Sequence, residues 1–294
     1  MLSHGNFISN VLAVATVLEP YETDQMLSVL PMYHALEFTS GFLMSIYGGT
    51  TVTYLESPTT MLEVMCETQT TVMVAVPRFF QLLYSTLMRH LAKSANLPIN
   101  NTLSDSQFSP EIIQKAHQAM GGKIRVFVSG GASLPDTVYD NFNRLGIIIH
   151  QGYGLTESAP VLAVTSYNKS RRSSVGIAVQ GTEVVIKDTN SKGIGEIVAK
   201  GPGVMQGYYN NPEATKKALI NDYLYTGDLG YFDDDGYYDY VDDDTIVSQF
   251  NNKNTTSETN SLKLNSDEEK IEIEESKENE NDRRYTANFM EQLK

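Results

Sequence analysis

The chain has 294 residues, of which 41% are apolar and 10% aromatic, so it is long enough to bury a sizeable core. The formal net charge of −14 is unevenly distributed along the chain. Seven aspartates lie between Asp233 and Asp244, and the long segment before them is nearly neutral. This distribution argues against a basic nucleic-acid-binding surface.

The single cysteine, Cys66, excludes an internal disulfide and fits a reducing compartment. We expect it to be a small buried side chain on an amphipathic helix. The run "VLAVATVL" is too short to cross a bilayer, and "MLSHGNF" lacks the basic start of a secretory signal. These features indicate a cytoplasmic protein without a transmembrane segment, and leave peripheral contact with a membrane open.

Up to about residue 155, short apolar runs alternate with segments of helical spacing. The predicted helices are "NFISNVLAVATVL", "EFTSGFLMSIYGG", "TTMLEVMCETQ" with a threonine cap, "PRFFQLLYSTLMRHLAK", "PEIIQKAHQAM" and "LPDTVYDNFNRLG". The predicted strands are "QMLSVLP", "TTVTYLE", "TVMVAVP", "KIRVFVSGG" and "IIIHQGYG". Apolar strands separated by helices predict an α/β fold with a parallel sheet covered on both faces.

The pattern changes after Arg172. Four short strands, "SSVGIAV", "TEVVIKD", "GEIVAKG" and "GYYDYV", lie between glycine-rich turns, with one helix in "NPEATKKALI". After Val247 the chain is rich in Asn, Ser, Glu and Lys, which is typical of disorder. We therefore predict an α/β core at 1–172, a β-rich subdomain at 173–247 and a disordered tail at 248–294.

Two glycine-bearing segments follow predicted strands: "SGGASLP" at 129–135 and "QGYGLTES" at 151–158. Each can be an ordinary turn between a strand and a helix, where glycine supplies unusual backbone angles. Ligands of open parallel sheets, however, collect at the carboxyl ends of the strands. There a tyrosine can stack on a base, a threonine can hold a phosphate oxygen, and a lone glutamate suits Mg²⁺.

A third segment, "YTGDLGYFDDDGYY", places Asp228 between two glycines. We expect a tight turn, in which the carboxylate can accept both hydroxyls of a ribose. The competing interpretation is an aspartate that caps its own turn, and this segment alone favours it.

Together these segments resemble the adenylate-forming superfamily, which includes acyl-CoA synthetases, luciferases and peptide-synthetase adenylation domains. "QGYGLTES" is similar to the central motif of that family, "GGASLP" to its adenine-side motif and "YTGDLGYFDDDGYY" to its ribose motif. "SSVGIAV", "GEIVAKGPGVMQGYYNNPEAT" and "LPMYH" fall in the same order, and the resemblance covers about residues 1–242. "LPMYHALEFTSGFL" is most similar to the long-chain fatty-acid branch.

The resemblance implies that a fatty acid reacts with ATP to give acyl-AMP and pyrophosphate, after which CoA displaces AMP. It assigns Thr156 to phosphate contact and Glu157 to Mg²⁺, as the catalytic pair, and Asp228 to the ribose. The other implied nucleotide contacts are Gly131, Ala132, Ser133, Gln151, Gly152, Tyr153 and Gly154. His34 and Gly130 are implied to line the acyl and thiol side.

The chain departs from the family pattern at three places. The phosphate loop that precedes a segment like "MLSHGNF" is absent, Asp243 stands where the family has an arginine, and the tail replaces a small C-terminal domain. We therefore expect a fragment of a long-chain fatty-acid–CoA ligase, impaired unless another chain complements it. The alternatives are a non-catalytic nucleotide- or acyl-adenylate-binding remnant, an interaction protein, and a piece of a synthetase that loads an acyl carrier protein.

Overall fold

A computed structural model describes residues 1–95, 108–166, 172, 174–233 and 238–240. These residues fall within one unit, Met1–Val241. The predicted tail at 248–294 and Asp243 lie outside the described residues, and the boundary at residue 172 stays a prediction. No helix in the described ranges is both long and apolar enough to cross a membrane.

The helices and strands follow the predicted alternation. The α-helices are α1 His4–Leu18, α2 Met44–Gly48, α3 Met61–Thr68, α4 Pro77–Ala95, α5 Pro110–Ala119, α6 Asp136–Arg144 and α7 Pro212–Ala218. The first strands are β1 Gln25–Ser28, β2 Thr51–Tyr54, β3 Val72–Ala75, β4 Val126–Ser129, β5 Ile149–Gly154 and β6 Val161–Val164. The later ones are β7 Ser174–Ala178, β8 Glu183–Lys187, β9 Gly195–Lys200, β10 Leu219–Ile220, β11 Tyr223–Phe232 and β12 Tyr238–Tyr240. A π-helix, Glu37–Leu43, leads directly into α2.

The described strands form one hydrogen-bonded sheet in the order β2-β1-β3-β4-β5-β6-β7-β12-β11-β9-β8, with β10 on β11. Pairing is parallel from β2 to β5 and antiparallel from β5 onwards. All four residues of β4 are buried, so helices cover both faces at the centre of the parallel part. The predicted α/β fold with a β-rich second half is confirmed.

The carboxyl ends of β4 and β5 lie side by side, because Ser129 is paired with Gln151 in the parallel register. The aromatic core beneath them joins β4 to α4 and α6. The ring of Phe80 lies 5.5 Å from that of Phe127 and 6.0 Å from that of Phe142. This packing fixes the strands whose ends carry both glycine-bearing segments.

Three local predictions are wrong. Thr60 precedes α3 but its side chain makes no capping hydrogen bond. Cys66 is exposed, because Met65 faces the core and the next residue of a helix points about 100° away. The helix α7 ends at Ala218, and Leu219–Ile220 pair with β11 instead of continuing the helix.

Two buried asparagines, one helical turn apart, attach α1 to distant segments. Asn6 Nδ2 donates to the carbonyl oxygens of Pro202 at 2.7 Å and Val204 at 2.9 Å. Asn10 Nδ2 donates to the carbonyl oxygen of Val161 at 2.7 Å, and the Val161 N–H donates to Asn10 Oδ1 at 3.2 Å. The first turn of α1 therefore holds the loop after β9, and the second turn holds the start of β6.

The π-helix contains a fully buried glutamate, Glu37. Ser28 Oγ donates to its Oε1 at 2.6 Å, while its Oε2 has no hydrogen-bond partner among the described residues. A Cβ at Gly41 would overlap this carboxyl group, so a larger residue there would displace the Glu37 side chain. Burial, opposed by hydrogen bonds from Ser28 and the backbone of Leu30, raises the pKa of Glu37 from 4.5 to about 7.

Replacing Asn10 tests the attachment of α1. Asn10→Ala removes the side-chain partner of the Val161 N–H and C=O, and we expect the free energy of unfolding to fall by about 3 kcal/mol. Thr16→Ala is the control, since Thr16 is exposed on the same helix and bonds only to the local Ala13 carbonyl; it should change stability by less than about 0.5 kcal/mol. Urea unfolding measures both, and equal midpoints would contradict the attachment.

Replacing Glu37 tests its protonation. The folded state keeps a proton that the unfolded state releases as the pH rises past 4.5, so this group lowers the free energy of unfolding between pH 4.5 and about 7. The total loss is about 3 kcal/mol. Glu37→Gln should remove this part of the slope in urea unfolding curves recorded from pH 4.5 to 8. Parallel stability–pH profiles for the wild-type and variant proteins would show that Glu37 ionises normally.

Candidate functional site

A cavity of about 60 Å³ lies at the carboxyl ends of β4 and β5. The parallel pairing of these strands brings the two glycine-bearing segments to the same edge of the sheet. Of the residues predicted from the sequence, those lining the cavity are His34, Gly130, Gly131, Gly152, Tyr153, Gly154 and Thr156. Segments separated by more than a hundred residues in the chain therefore form one site.

The wall of the cavity opposite these glycines is apolar. It is formed by Val14 of α1, by Leu36 directly before the π-helix and by Val161 of β6. His34 is exposed at this cavity, and its Nδ1 accepts a hydrogen bond from the Leu36 N–H at 3.4 Å. The site thus combines a glycine-rich wall, a hydrophobic wall and an accessible imidazole.

A second cavity of about 40 Å³ adjoins the first. Leu18, Ser40 and Val128 line both of them, and the second is otherwise bounded largely by apolar side chains that include Met26 and Met44. Ser40 Oγ is buried without a hydrogen-bond partner among the described residues. The second cavity therefore continues the first past Ser40, between apolar side chains and the Asp24–Arg125 ion pair.

Tyr153 and Asp228 form a hydrogen-bonded pair beside the cavity. Tyr153 Oη donates to Asp228 Oδ2 at 2.8 Å. Burial raises the pKa of Asp228, and the hydrogen bond from Tyr153 partly offsets the rise. The pair places an aromatic ring and a carboxyl group in fixed positions relative to each other.

The predicted tight turn at Asp228 is wrong. Asp228 lies within the ten-residue strand β11, where the pairing with β9 shifts register between Tyr225 and Leu229. Gly227 adopts a φ of 78° at this bulge, which favours glycine. The bulge, rather than a turn, aims Asp228 at Tyr153.

The turn after β5 is held on several sides. Thr156 is exposed, whereas Glu157 is half-buried and its Oε1 accepts a hydrogen bond from Tyr208 Oη at 2.8 Å. Ser158 Oγ donates to the Pro160 carbonyl oxygen at 2.6 Å. The exposed hydroxyl and the half-buried carboxylate are therefore adjacent on a rigid turn next to the cavity.

The remaining predicted residues lie around this edge but do not line the cavity. Ala132 and Ser133 are exposed on the turn between β4 and α6, directly after Gly131. Gln151 is buried, and its N–H donates to Thr165 Oγ1 at 2.8 Å. Its side chain therefore belongs to the interior of the sheet edge in this structure.

The described residues contain no group of three or more His, Cys, Asp or Glu side chains suited to a metal ion. The donors at the turn are one carboxylate, from Glu157, and the neighbouring hydroxyl of Thr156. Mg²⁺ in nucleotide sites takes one or two carboxylates together with substrate phosphates. This donor set therefore fits Mg²⁺ that arrives with a nucleotide, and does not fit a metal held by protein alone.

Sequence reasoning missed five residues that shape the site: Asn6, Asn10, Leu36, Ser40 and Tyr208. Leu36 directly precedes the predicted helix "EFTSGFLMSIYGG", and Ser40 follows Leu36 by four residues. This spacing near His34 was a usable signal. The two asparagines have the same spacing within an apolar helix. The partner of Tyr208 lies 51 residues away in the chain, and no local pattern indicates it.

Comparisons with known proteins agree with this geometry. The family described as AMP-binding enzyme matches residues 1–209. The long-chain-fatty-acid–CoA ligase FadD15 of Mycobacterium tuberculosis is 27% identical over 236 residues, covering 73% of this chain and 38% of that protein. The probable CoA ligase CCL9 of Humulus lupulus is 31% identical over 253 residues, covering 82% of this chain and 43% of that protein.

Solved structures show the same fold. Apo MatB from Rhodopseudomonas palustris has a TM-score of 0.65 at 27% identity, over 82% of this chain and 44% of that one. O-succinylbenzoate coenzyme A synthetase from Bacillus subtilis has a TM-score of 0.64 at 26% identity, over 83% of this chain and 46% of that one. The chain spans less than half the length of these relatives. Because the family match covers residues 1–209 and the fold agrees, this chain belongs to the family of AMP-binding enzymes.

Proposed function

We propose that this chain carries the nucleotide- and acyl-binding part of an acyl–CoA ligase, which converts a fatty acid and ATP to acyl-AMP and then to a CoA thioester. The observation that carries the proposal is the cavity at β4 and β5, where the glycine-bearing segments, His34 and the Tyr153–Asp228 pair converge. Curated relatives named long-chain-fatty-acid–CoA ligases support the acyl substrate, and MatB solved with ATP bound supports the nucleotide.

The adenosine half of the nucleotide would bind at the Tyr153–Asp228 pair. The Tyr153 ring supplies a face for the adenine, and the backbone at Gly131–Ser133 supplies the other side. A carboxylate has about four acceptor sites on its two oxygens, so Asp228 can accept both ribose hydroxyls while keeping its bond to Tyr153. The hydrogen bond would orient the ring and the carboxylate before the nucleotide arrives.

The phosphates would lie against the turn after β5. In the first step, a carboxylate oxygen of the acid attacks the α-phosphorus, and the bond to pyrophosphate breaks. Mg²⁺, when bound, supplies charge neutralisation for the phosphates. The exposed hydroxyl of Thr156 would donate to a phosphate oxygen, and Glu157 would hold the cation.

The acyl chain would enter along the apolar wall of Val14, Leu36 and Val161. One water occupies about 30 Å³ of liquid, so a cavity of about 60 Å³ is far too small for a long chain. A long-chain acid requires the side chains around Ser40 to move and open the second cavity. Met26 and Met44 line that second cavity, and methionine adapts readily to new apolar shapes.

A second candidate is binding of an acyl-adenylate without turnover. The sequence favours it at one place, because Asp243 stands where the resemblance leads us to expect an arginine. Trapping with hydroxylamine separates the two functions. A hydroxamate that requires fatty acid, ATP and Mg²⁺ supports the ligase, while binding of the adenylate without hydroxamate supports the binding function.

A nonhydrolysable acyl-adenylate analogue tests the nucleotide site directly. Asp228→Asn weakens the hydrogen bonds to the ribose, and loss of a charged acceptor costs about 1.5–3 kcal/mol, so we expect a 10- to 100-fold higher Kd by calorimetry. The control is Asp188→Asn, an exposed aspartate after the edge strand β8, which should bind like the wild type. Equal affinities for all three proteins would place the analogue elsewhere.

A further inference from the structure

The segment from Gly201 to Tyr208 passes directly beside the site turn. The Met205 N–H donates to the Glu157 carbonyl oxygen at 2.7 Å. Earlier in the same segment, the carbonyl oxygens of Pro202 and Val204 accept hydrogen bonds from Asn6. The backbone on this side of Glu157 is therefore fixed by α1 and by the turn itself.

Tyr208 is fixed from the other side by α7. Its N–H donates to Thr215 Oγ1 at 2.9 Å, and Thr215 Oγ1 donates to the Asn211 carbonyl oxygen at 2.9 Å. From this anchored backbone, Tyr208 Oη reaches Glu157 Oε1 at 2.8 Å. The neighbouring Tyr209 is 77% exposed and makes no such contact among the described residues.

The contact between Tyr208 and Glu157 involves no positively charged group. A phenol hydroxyl is an uncharged donor, so the hydrogen bond from Tyr208 brings no positive charge to Glu157. No Lys, Arg or His in the described part of the chain forms an ion pair with Glu157. The carboxylate is thus held in one orientation by a neutral donor, and its second oxygen accepts no hydrogen bond from the described residues.

We propose that Tyr208 is a positioning residue for Glu157: it orients the carboxylate and leaves its charge and one oxygen for the cation that accompanies ATP. A lysine or arginine in this place would neutralise the group that attracts the cation. The inference rests on the proposed function, because it assigns to Glu157 the contact with Mg²⁺. It adds a residue from "GEIVAKGPGVMQGYYNNPEAT", a segment that follows the family order but to which the resemblance assigned no contact.

The test compares Tyr208→Phe with the matched control Tyr209→Phe in the full chain. Calorimetry gives the Kd of ATP at increasing Mg²⁺ concentrations, and separately the Kd of the acyl-adenylate analogue, which needs no cation. We expect Tyr208→Phe to raise the Mg²⁺ concentration for half-maximal ATP binding about three- to tenfold, because Glu157 keeps its carboxylate and loses only its fixed orientation. Analogue binding should not change, and Tyr209→Phe should match the wild type in both assays.

A Glu157→Gln background completes the test. If Tyr208 acts through Glu157, adding Tyr208→Phe to Glu157→Gln should leave the Mg²⁺ dependence where Glu157→Gln alone puts it. An unchanged Mg²⁺ dependence in Tyr208→Phe, or a loss of analogue binding and of folding stability together, would overturn the positioning role while leaving the proposed function intact. If wild-type protein binds the analogue but shows no Mg²⁺-dependent ATP binding, the positioning role is again overturned. If it binds neither, the proposed function fails with it.

Discussion

The candidate site depends on two amide side chains that α1 buries one turn apart. A buried amide is costly unless it is hydrogen-bonded, and both asparagines bond to backbone groups of segments distant in the sequence. Asn10 holds the chain where it leaves the turn of Glu157, and Asn6 holds the loop that leads to Tyr208. Because both contacts belong to one rigid helix, the turn and the loop keep a fixed separation. That separation lets a tyrosine hydroxyl reach a carboxylate 51 residues earlier in the chain.

Asp24 differs from the two carboxyl groups at the site in the charge of its hydrogen-bond donors. Asp24 is 3% exposed and lies at the opposite end of the sheet, where Arg125 Nε donates to its Oδ1 at 3.0 Å. Burial alone would raise the pKa of Asp24, but hydrogen bonds from Arg125, Tyr21 and Thr71 lower it. Asp228 and Glu157 instead receive their hydrogen bonds from neutral tyrosines. The Asp24 carboxylate is paired with a cation, whereas no Lys, Arg or His among the described residues forms an ion pair with Asp228 or Glu157.

The sequence predicted the parallel sheet and the placement of both glycine-bearing segments at one edge of it, because strand periodicity and turn chemistry are local signals. The role of Tyr153 stays a prediction. Prediction from the sequence failed where the conformation or the partners of a residue depend on distant parts of the chain. The glycines around Asp228 indicated a turn, but pairing with β9 stretches that segment into a bulged strand. Nothing in the sequence near the two asparagines of α1 indicates their hydrogen-bond partners, which include the carbonyl oxygens of Val161 and Pro202. The π-helix was predicted only as a helix, since its extra residue per turn leaves little trace in a short apolar pattern.

The proposed site depends most on Tyr153 and Asp228 forming a preorganised receptor for adenosine. A crystal structure of this chain with a nonhydrolysable acyl-adenylate analogue tests it most directly. We expect the adenine to pack against the Tyr153 ring and both ribose hydroxyls to donate hydrogen bonds to Asp228. The hydrogen bond between Tyr153 and Asp228 should be retained. An analogue bound elsewhere, or a Tyr153 ring turned away from Asp228 to admit the base, would contradict the claim.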